Sequence, residues 1–532
     1  MLNNIANVED GHRFEADIVI IGGGPAGIAL ALEFANTHHQ VLLLESGGLD
    51  FDGTTQDMMA GPASGVPYFA LDDSRYRMLG GSTFRWGART APFKPLDFEV
   101  RDWLPVSGWP IARDQLDPYY ERVFDLIGIH RPFEFDGRVW NHVKARPLDF
   151  DMDRFEYTAF QFGRNLLFGS VYRDALQAAP NVNVLLGANV LDIESGPQAN
   201  HVEGLVVGHS SGRRYTVSAR RYVLAAGGIE NARLLLLSNR ANPGGLANGN
   251  DLVGRYFMEH PTVSAGTIVS KDPQKLLDAF SPGLVGGRLV EVGLSLNAEQ
   301  QRQSGSLNAV ARTAIVVGND ATQALRELLR NFQHRRLPHQ LSWYQKNKWL
   351  MLRLGAIARD PFSIVTNTVR HALGLPNRFK IDSVYLELRT EQEPNPDSRV
   401  TLAEETDAFG QRRAHLHWAL AHRDKMTMRV LAEHVARELE RLEIGRLQMA
   451  DWLGSDDLSF GPDLVGGHHH MGTTRMSADP RQGVVDPDCR AHEVDNLYIA
   501  GASVFPTAGF VNPTASLLAL TLRLADHLKS AN

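Results

Sequence analysis

The stretch "ADIVIIGGGPAGIALALEFANTHHQVLLLESGG" (residues 16–48) constrains the fold more than any other part of the chain. Asp17 to Ile21 is an apolar, β-branched run, suited to a parallel strand covered on both faces. Gly22, Gly24 and Gly27 follow as G-x-G-x-x-G at a turn into a helix. Gly22 permits the turn, Gly24 lets backbone approach a pyrophosphate at the helix N-terminus, and Gly27 lets helix and strand pack closely. A second strand, Gln40 to Leu44, ends in Glu45, where an acid usually holds a ribose hydroxyl. The pattern predicts a dinucleotide site on a Rossmann-like α/β domain. Alone, it does not choose between NAD and FAD.

A chain of 532 residues is too long for one simple core, so two or more domains are expected. The net charge of -7 argues against a general nucleic-acid binder. Cys489 is the only cysteine, which excludes intramolecular disulfides and thiolate metal clusters. The N-terminus has no basic stretch followed by an apolar run, and nothing approaches the roughly 20 apolar residues of a membrane span. A cytoplasmic, soluble protein is the expectation.

Further motifs narrow the cofactor. "MLGGSTFRWGA" (Met78 to Ala88) is a second glycine-rich turn with hydroxyl residues, and "NVNVLLGANVLDIE" (Asn181 to Glu194) reads as two short strands. "RRYVLAAGGIENARLLLLS" (Arg220 to Ser238) reads as a strand, a Gly-Gly turn and a helix. With "DLVGRYFMEHP" (Asp251 to Pro261), "EQEPNPDSRVTL" (Glu391 to Leu402) and the stretch from Gly466 onward, the chain resembles the glucose-methanol-choline (GMC) oxidoreductases.

The resemblance implies FAD. Gly22, Gly24, Gly27 and Glu45 would hold its ADP moiety. Gly80, Gly81, Ser82 and Thr83 would run along the pyrophosphate and flavin, and Val190 would lie near the adenine. Gly501, Ala502, Asn512 and Thr514 would complete the site. Some members bond FAD covalently through a histidine near the second glycine turn. That turn has Arg85 before Trp86 and no histidine here, so noncovalent FAD is expected.

"GGHHHMGTTRM" (Gly466 to Met476) can be read as metal ligands, an acid/base catalyst or loop residues. Adjacent histidines point in different directions, so His468, His469 and His470 do not readily face one ion, and no metal site is expected. Histidine titrates near working pH and can take and return a hydroxyl proton. The family pattern His-x-x-Gly-Thr falls on His469, Gly472 and Thr473. Its partner falls on Asn512, whose local sequence, Asn512-Pro513, also fits a helix cap followed by proline. The implied reaction has His469 removing a hydroxyl proton and Asn512 donating to the developing alkoxide. Hydride then passes from the carbon to flavin N5. The start of a helix from Thr514 would steady the charge gained by the flavin.

The expected organisation is an FAD-binding domain in three pieces, 1–107, 181–261 and 452–532. An α+β substrate domain, 108–180 and 262–451, would be inserted with an antiparallel sheet roofing the flavin. Segment 321–380 carries eleven Lys or Arg against Glu327 and Asp360, with Trp343, Tyr344 and Trp349. It suits an interfacial helix near anionic lipid, a lid, an oligomer or partner contact, or a solvated helix pair. The motifs look most similar to the sugar-oxidising branch, including pyranose oxidases and bacterial sugar dehydrogenases. The expected substrate is a sugar, glycoside or cyclic polyol, with oxygen or another carrier as electron acceptor. The alternatives are a flavoprotein lyase of the same fold, and an FAD dehydrogenase acting on a non-sugar alcohol with a membrane or protein acceptor.

Overall fold

A computed structural model describes residues 1–143, 147–280, 283–285, 288–317, 321, 322, 324, 325, 328, 329, 343–373, 378 and 381–530. Two large sheets and one small one carry the chain. In the first sheet Leu2–Asn4, Val182–Leu186, Val41–Glu45, Arg13–Ile21 and Arg214–Leu224 lie side by side and parallel. Leu497–Ile499 joins Arg214–Leu224 in parallel at its end, while Val202–Gly208 and Asn189–Ser195 extend the sheet antiparallel. Ile18 to Ile21 and Val41 to Glu45 are all buried, as expected of strands covered on both faces. Each buried Val, Leu or Ile there contributes about 1.5–3 kcal/mol.

Helix Pro25–Glu33 follows the first strand, with Gly24 before it and Pro25 in its first turn. The terminal helix Thr514–Ser530 packs against it and against Asp117–Leu126. Its apolar residues are buried almost throughout, so its start is fixed rigidly beside the sheet.

The second sheet runs Gly445–Met449, Thr262–Ser270, Ile381–Thr390, Ala309–Val317, Arg288–Leu296, Phe155–Phe162, Arg89–Thr90, and is antiparallel throughout. The amphipathic helix His422–Arg441 packs on it through Met428, Leu431, Val435 and Leu439. The third sheet pairs Arg399–Thr406, Arg412–Trp418 and Ala63–Gly65.

Helices Trp343–Arg359 and Pro361–Ala372 lie in the basic segment, with Ser363 N–H on the Asp360 carboxylate at 3.1 Å starting the second. Phe362, Val365, Val369 and Leu373 recur at helical spacing and are all exposed, Phe362 by 81%. Arg326, Glu327, Arg330, Arg335, Arg336 and Lys380 lie outside the described residues. No helix among the described residues is long and apolar enough to cross a membrane.

Candidate active site

The ends of Arg13–Ile21, Val41–Glu45, Arg214–Leu224 and Leu497–Ile499 open on one cavity of about 750 Å³. Its wall draws on the start, middle and end of the chain. At one end Gly22 takes φ +110°, and a Cβ there would lie 2.7 Å from the Ala225 carbonyl oxygen. A Cβ on Gly27 would lie 1.9 Å from the Gly22 carbonyl oxygen, so the turn closes only with glycine at both positions. Glu45 Oε2 accepts from Gly23 N–H at 2.8 Å and Oε1 from Gly47 N–H at 2.7 Å, which locks the acid at the cavity wall.

Gly80 N–H donates to the Gly23 carbonyl at 2.7 Å, docking the second glycine turn on the first. Gly81, Ser82 and Thr83 line the cavity, with the Thr83 hydroxyl turned onto the Gly80 carbonyl at 2.6 Å. Gly27 and Gly80 stand behind the wall rather than in it. Val190, Gly501, Ala502 and Thr514 all line the cavity. Arg85 is at its rim, donating to the Asp73 carbonyl at 3.2 Å with its guanidinium 5.5 Å from the Tyr76 ring centre.

Five charged residues that the sequence did not single out meet around the same end. Arg75 and Arg233 reach Glu230 at 2.7 and 3.2 Å, Arg77 reaches it at 3.4 Å, and Arg233 also grips Asp407 at 2.7 Å. Burial alone would raise the Glu230 pKa, but the three guanidinium groups, Arg233 foremost, bring it down to about 2.

The three histidines diverge at the other end. His468, at φ +58°, stacks on Phe69 with ring centres 4.1 Å apart. His470 Nε2 lies 3.0 Å from the Tyr68 hydroxyl, which donates to Glu259. His469 Nε2 lies 3.2 Å from Asn512 Nδ2, and its Nδ1 lies 2.8 Å from His260 Nδ1. The Glu259 carboxylate accepts the backbone N–H groups of His260, Gly467 and His469 at 2.8–3.0 Å, so a single buried acid shapes the histidine loop.

The polarity of this chain is fixed by its ends. His260 Nε2 lies 3.1 Å from the Ala508 carbonyl, which can only accept, so the proton sits on Nε2. Burial, with Arg389 next, lowers the His260 pKa to about 3, so its Nδ1 carries only a lone pair. His469 Nδ1 must then donate, and His469 Nε2 is left as an acceptor. Asn512 Oδ1 receives Arg89 Nη1 and Arg389 Nη1, each at 3.3 Å, which turns its NH₂ toward His469. Desolvation, then the neighbouring His260 and Arg389, holds His469 well below the usual imidazole range, so it is neutral at pH 7.

Glu259, His260, Tyr68, Arg89 and Arg389 were not expected as site residues. Glu259 and His260 lie within "DLVGRYFMEHP", but nothing local to that stretch points to position 469.

Residues 17–243 match the family model described as FAD dependent oxidoreductase, and residues 394–521 match that of GMC oxidoreductase. The fructose dehydrogenase large subunit of Gluconobacter japonicus is 23% identical over 96% of this chain and 97% of its own. The 6'''-hydroxyparomomycin C oxidase of Streptomyces lividus is 24% identical over 96% and 92%. A crystal structure of formate oxidase shares the fold, with a TM-score of 0.56 at 19% identity over 98% of this chain and 99% of that one. A glycine-turn dinucleotide site, a C-terminal histidine motif and these matches along both ends agree: the chain is similar to the GMC oxidoreductases, FAD-dependent enzymes acting on CH–OH donors.

Proposed function

We propose that this flavoenzyme oxidises a CH–OH group of a sugar, glycoside or cyclic polyol to a carbonyl, with His469 as base and Asn512 as hydrogen-bond donor. The observation that carries the reading is the directed chain from Ala508 through His260 to His469, which leaves the His469 Nε2 lone pair on the cavity beside an amide NH₂. Two relatives, a fructose dehydrogenase and a hydroxyparomomycin oxidase, favour a carbohydrate.

The cavity suits FAD, since a Cβ added at Gly501 would meet nothing within 4 Å and one at Gly24 only the Ala225 carbonyl oxygen at 4.0 Å, which leaves room for a ligand beside both. On this reading Gly22, Gly24 and Glu45 hold the ADP moiety, with Gly27 packed behind them, and Val190 the adenine. Gly81, Ser82 and Thr83 follow the pyrophosphate and flavin, with Gly80 docking their turn from behind, while Gly501, Ala502, Asn512 and Thr514 meet the far end. When bound, FAD supplies the two-electron acceptance that alcohol oxidation requires.

The chain's own residues do the rest. His469 Nε2 takes the hydroxyl proton while its Nδ1–H stays on His260. Asn512 Nδ2 donates to the oxygen as charge develops there. The free N–H groups at the start of Thr514–Ser530 add partial positive charge at that end. Oxygen or another carrier removes the electrons afterwards.

His469→Gln tests this directly. The variant should keep its flavin absorbance and lose roughly 10²–10⁴-fold in anaerobic reduction by a responsive sugar. Reduction at the wild-type rate would remove His469 from the chemistry. Acid denaturation of the holoenzyme should release the flavin into solution, as noncovalent binding requires.

The exposed row Phe362, Val365, Val369 and Leu373 supports a second role, contact of the basic segment with an anionic membrane surface or a protein partner. Vesicles containing anionic lipid should pellet the enzyme at low salt and release it at high salt. No pelleting under either condition would dismiss the membrane arm.

A further inference from the structure

The second sheet places three arginines and two acids beside the catalytic pair. Arg312 bonds to Glu387 directly across the strands and reaches Glu291 at 3.5 Å. Arg89 takes Glu291 at 2.9 Å through Nε, with its guanidinium 3.5 Å from the Phe160 ring centre. The two acids are thereby used. Among the described residues Arg389 has no carboxylate within ion-pair distance, and its one side-chain hydrogen bond is to the neutral Asn512 oxygen at 3.3 Å. Its Nε is enclosed without a partner.

Glu387, Glu291 and Glu259 offset part of its charge from a distance, but none forms an ion pair with it among the described residues. His260 and His469 are neutral, and Glu259 is committed to Tyr68 and three backbone N–H groups. Burial and Arg312 bring the Arg389 pKa down only to about 10, so the guanidinium stays charged at neutral pH. A sequestered, unpaired cation is costly unless an anion joins it, and a guanidinium fork matches a carboxylate. Arg89 lines the cavity, and both guanidinium groups converge on the Asn512 oxygen that orients the amide.

We propose that Arg389, with Arg89, binds a carboxylate of the substrate, so that the alcohol oxidised belongs to an acidic sugar rather than a neutral or amino sugar. The inference rests on His469 and Asn512 being the oxidising pair. An ammonium group at this position would meet two guanidinium cations. A neutral sugar would leave Arg389 unpaired in the complex.

The test uses FAD-loaded enzyme. Anaerobic flavin reduction is followed with gluconate, glucuronate, glucose and glucosamine. One of the two acids should exceed glucose by about 10- to 100-fold in kcat/KM, the worth of one charge-assisted hydrogen bond. Glucosamine should be the poorest. Arg389→Met should abolish the preference mainly through KM, and Arg389→Lys should restore part of it.

Acetate provides a readout without turnover. It should perturb the flavin absorption band in wild type and in His469→Gln, and about 10-fold more weakly in Arg389→Met. Glucose or glucosamine reducing the flavin as well as both acids would overturn the proposal, as would an unchanged preference in Arg389→Met. If no compound reduces the flavin, the alcohol-oxidation reading is what fails. Acetate then decides the anion site: a perturbation lost in Arg389→Met upholds it, and none in wild type refutes it.

Discussion

Two clusters of three arginines and two acids flank the same cavity, and they are built differently. Arg75, Arg77 and Arg233 surround Glu230 and Asp407 at the nucleotide end, where Arg75 also donates to the Leu71 and Met59 carbonyls and Arg233 to that of Arg412. Arg89 and Arg312 take up Glu291 and Glu387 at the catalytic end, where the Arg389 side chain has only an amide oxygen among the described residues. The formal charge is the same. In the first cluster protein acceptors absorb it, and the cluster joins Arg75 of the N-terminal region to the helix Gly228–Leu237 and to Asp407. In the second the surplus is left at the site. A closed cluster stabilises the fold, while an open one keeps affinity for something that arrives later.

The sharpest way to break the comparison is Glu230→Leu. Its carboxylate is 5% exposed and faces three guanidinium groups, so removing it strands buried cations. Such a loss costs about 3–5 kcal/mol and should appear as a large fall in Tm, with FAD retention falling too. The pH dependence follows from the sign of the shift. A folded-state pKa of about 2, below the ordinary value of 4.5, means stability present above pH 4.5 and lost as pH falls toward 2. Wild type should therefore lose stability across that window more steeply than the variant. Equal slopes would show that Glu230 is not held ionised by its neighbours.

The nucleotide end was legible in the sequence because its parts are local. Gly22, Gly24 and Gly27 act within one turn, and Glu45 ends the adjacent strand. His469 and Asn512 were singled out only through the family pattern, since local sequence alone slightly favours Asn512 as a helix cap and nothing more. The arginine cluster was not legible. Arg312 and Glu387 face each other only because Ala309–Val317 pairs with Ile381–Thr390 in one register, and a shift of one residue would turn them to opposite faces. Glu259 and His260 are likewise brought to the histidine loop by an isolated bridge between Met258 and Met471, a pairing that neither stretch announces.

A smaller effect is expected at the open cluster from Arg389→Leu, read in the pH profile of flavin reduction. The His469 pKa is lowered by desolvation first, then by His260, Arg389, His468 and His470. Deleting one cation raises it, so the acidic limb of kcat/KM should move to higher pH. Arg389→Lys should leave the limb where it was. A limb that stays fixed in Arg389→Leu would mean that Arg389 does not act electrostatically on His469.

The smallest change expected is in stability, from Glu291→Gln, and its contrast with Glu230→Leu sharpens the comparison most. Glu291 is 31% exposed, so water screens its pairing with Arg89 and Arg312. Its loss should cost about 1 kcal/mol or less, within the range of surface ion pairs. The site should respond in the opposite sense. With Glu291 neutral, Arg89 joins Arg389 as an unbalanced cation, and acetate should bind more tightly than to wild type. That gain should shrink as ionic strength rises, because part of the field passes through solvent. A Tm loss matching that of Glu230→Leu, or weaker acetate binding, would make the catalytic-end cluster another structural brace, and the distinction between the two would disappear.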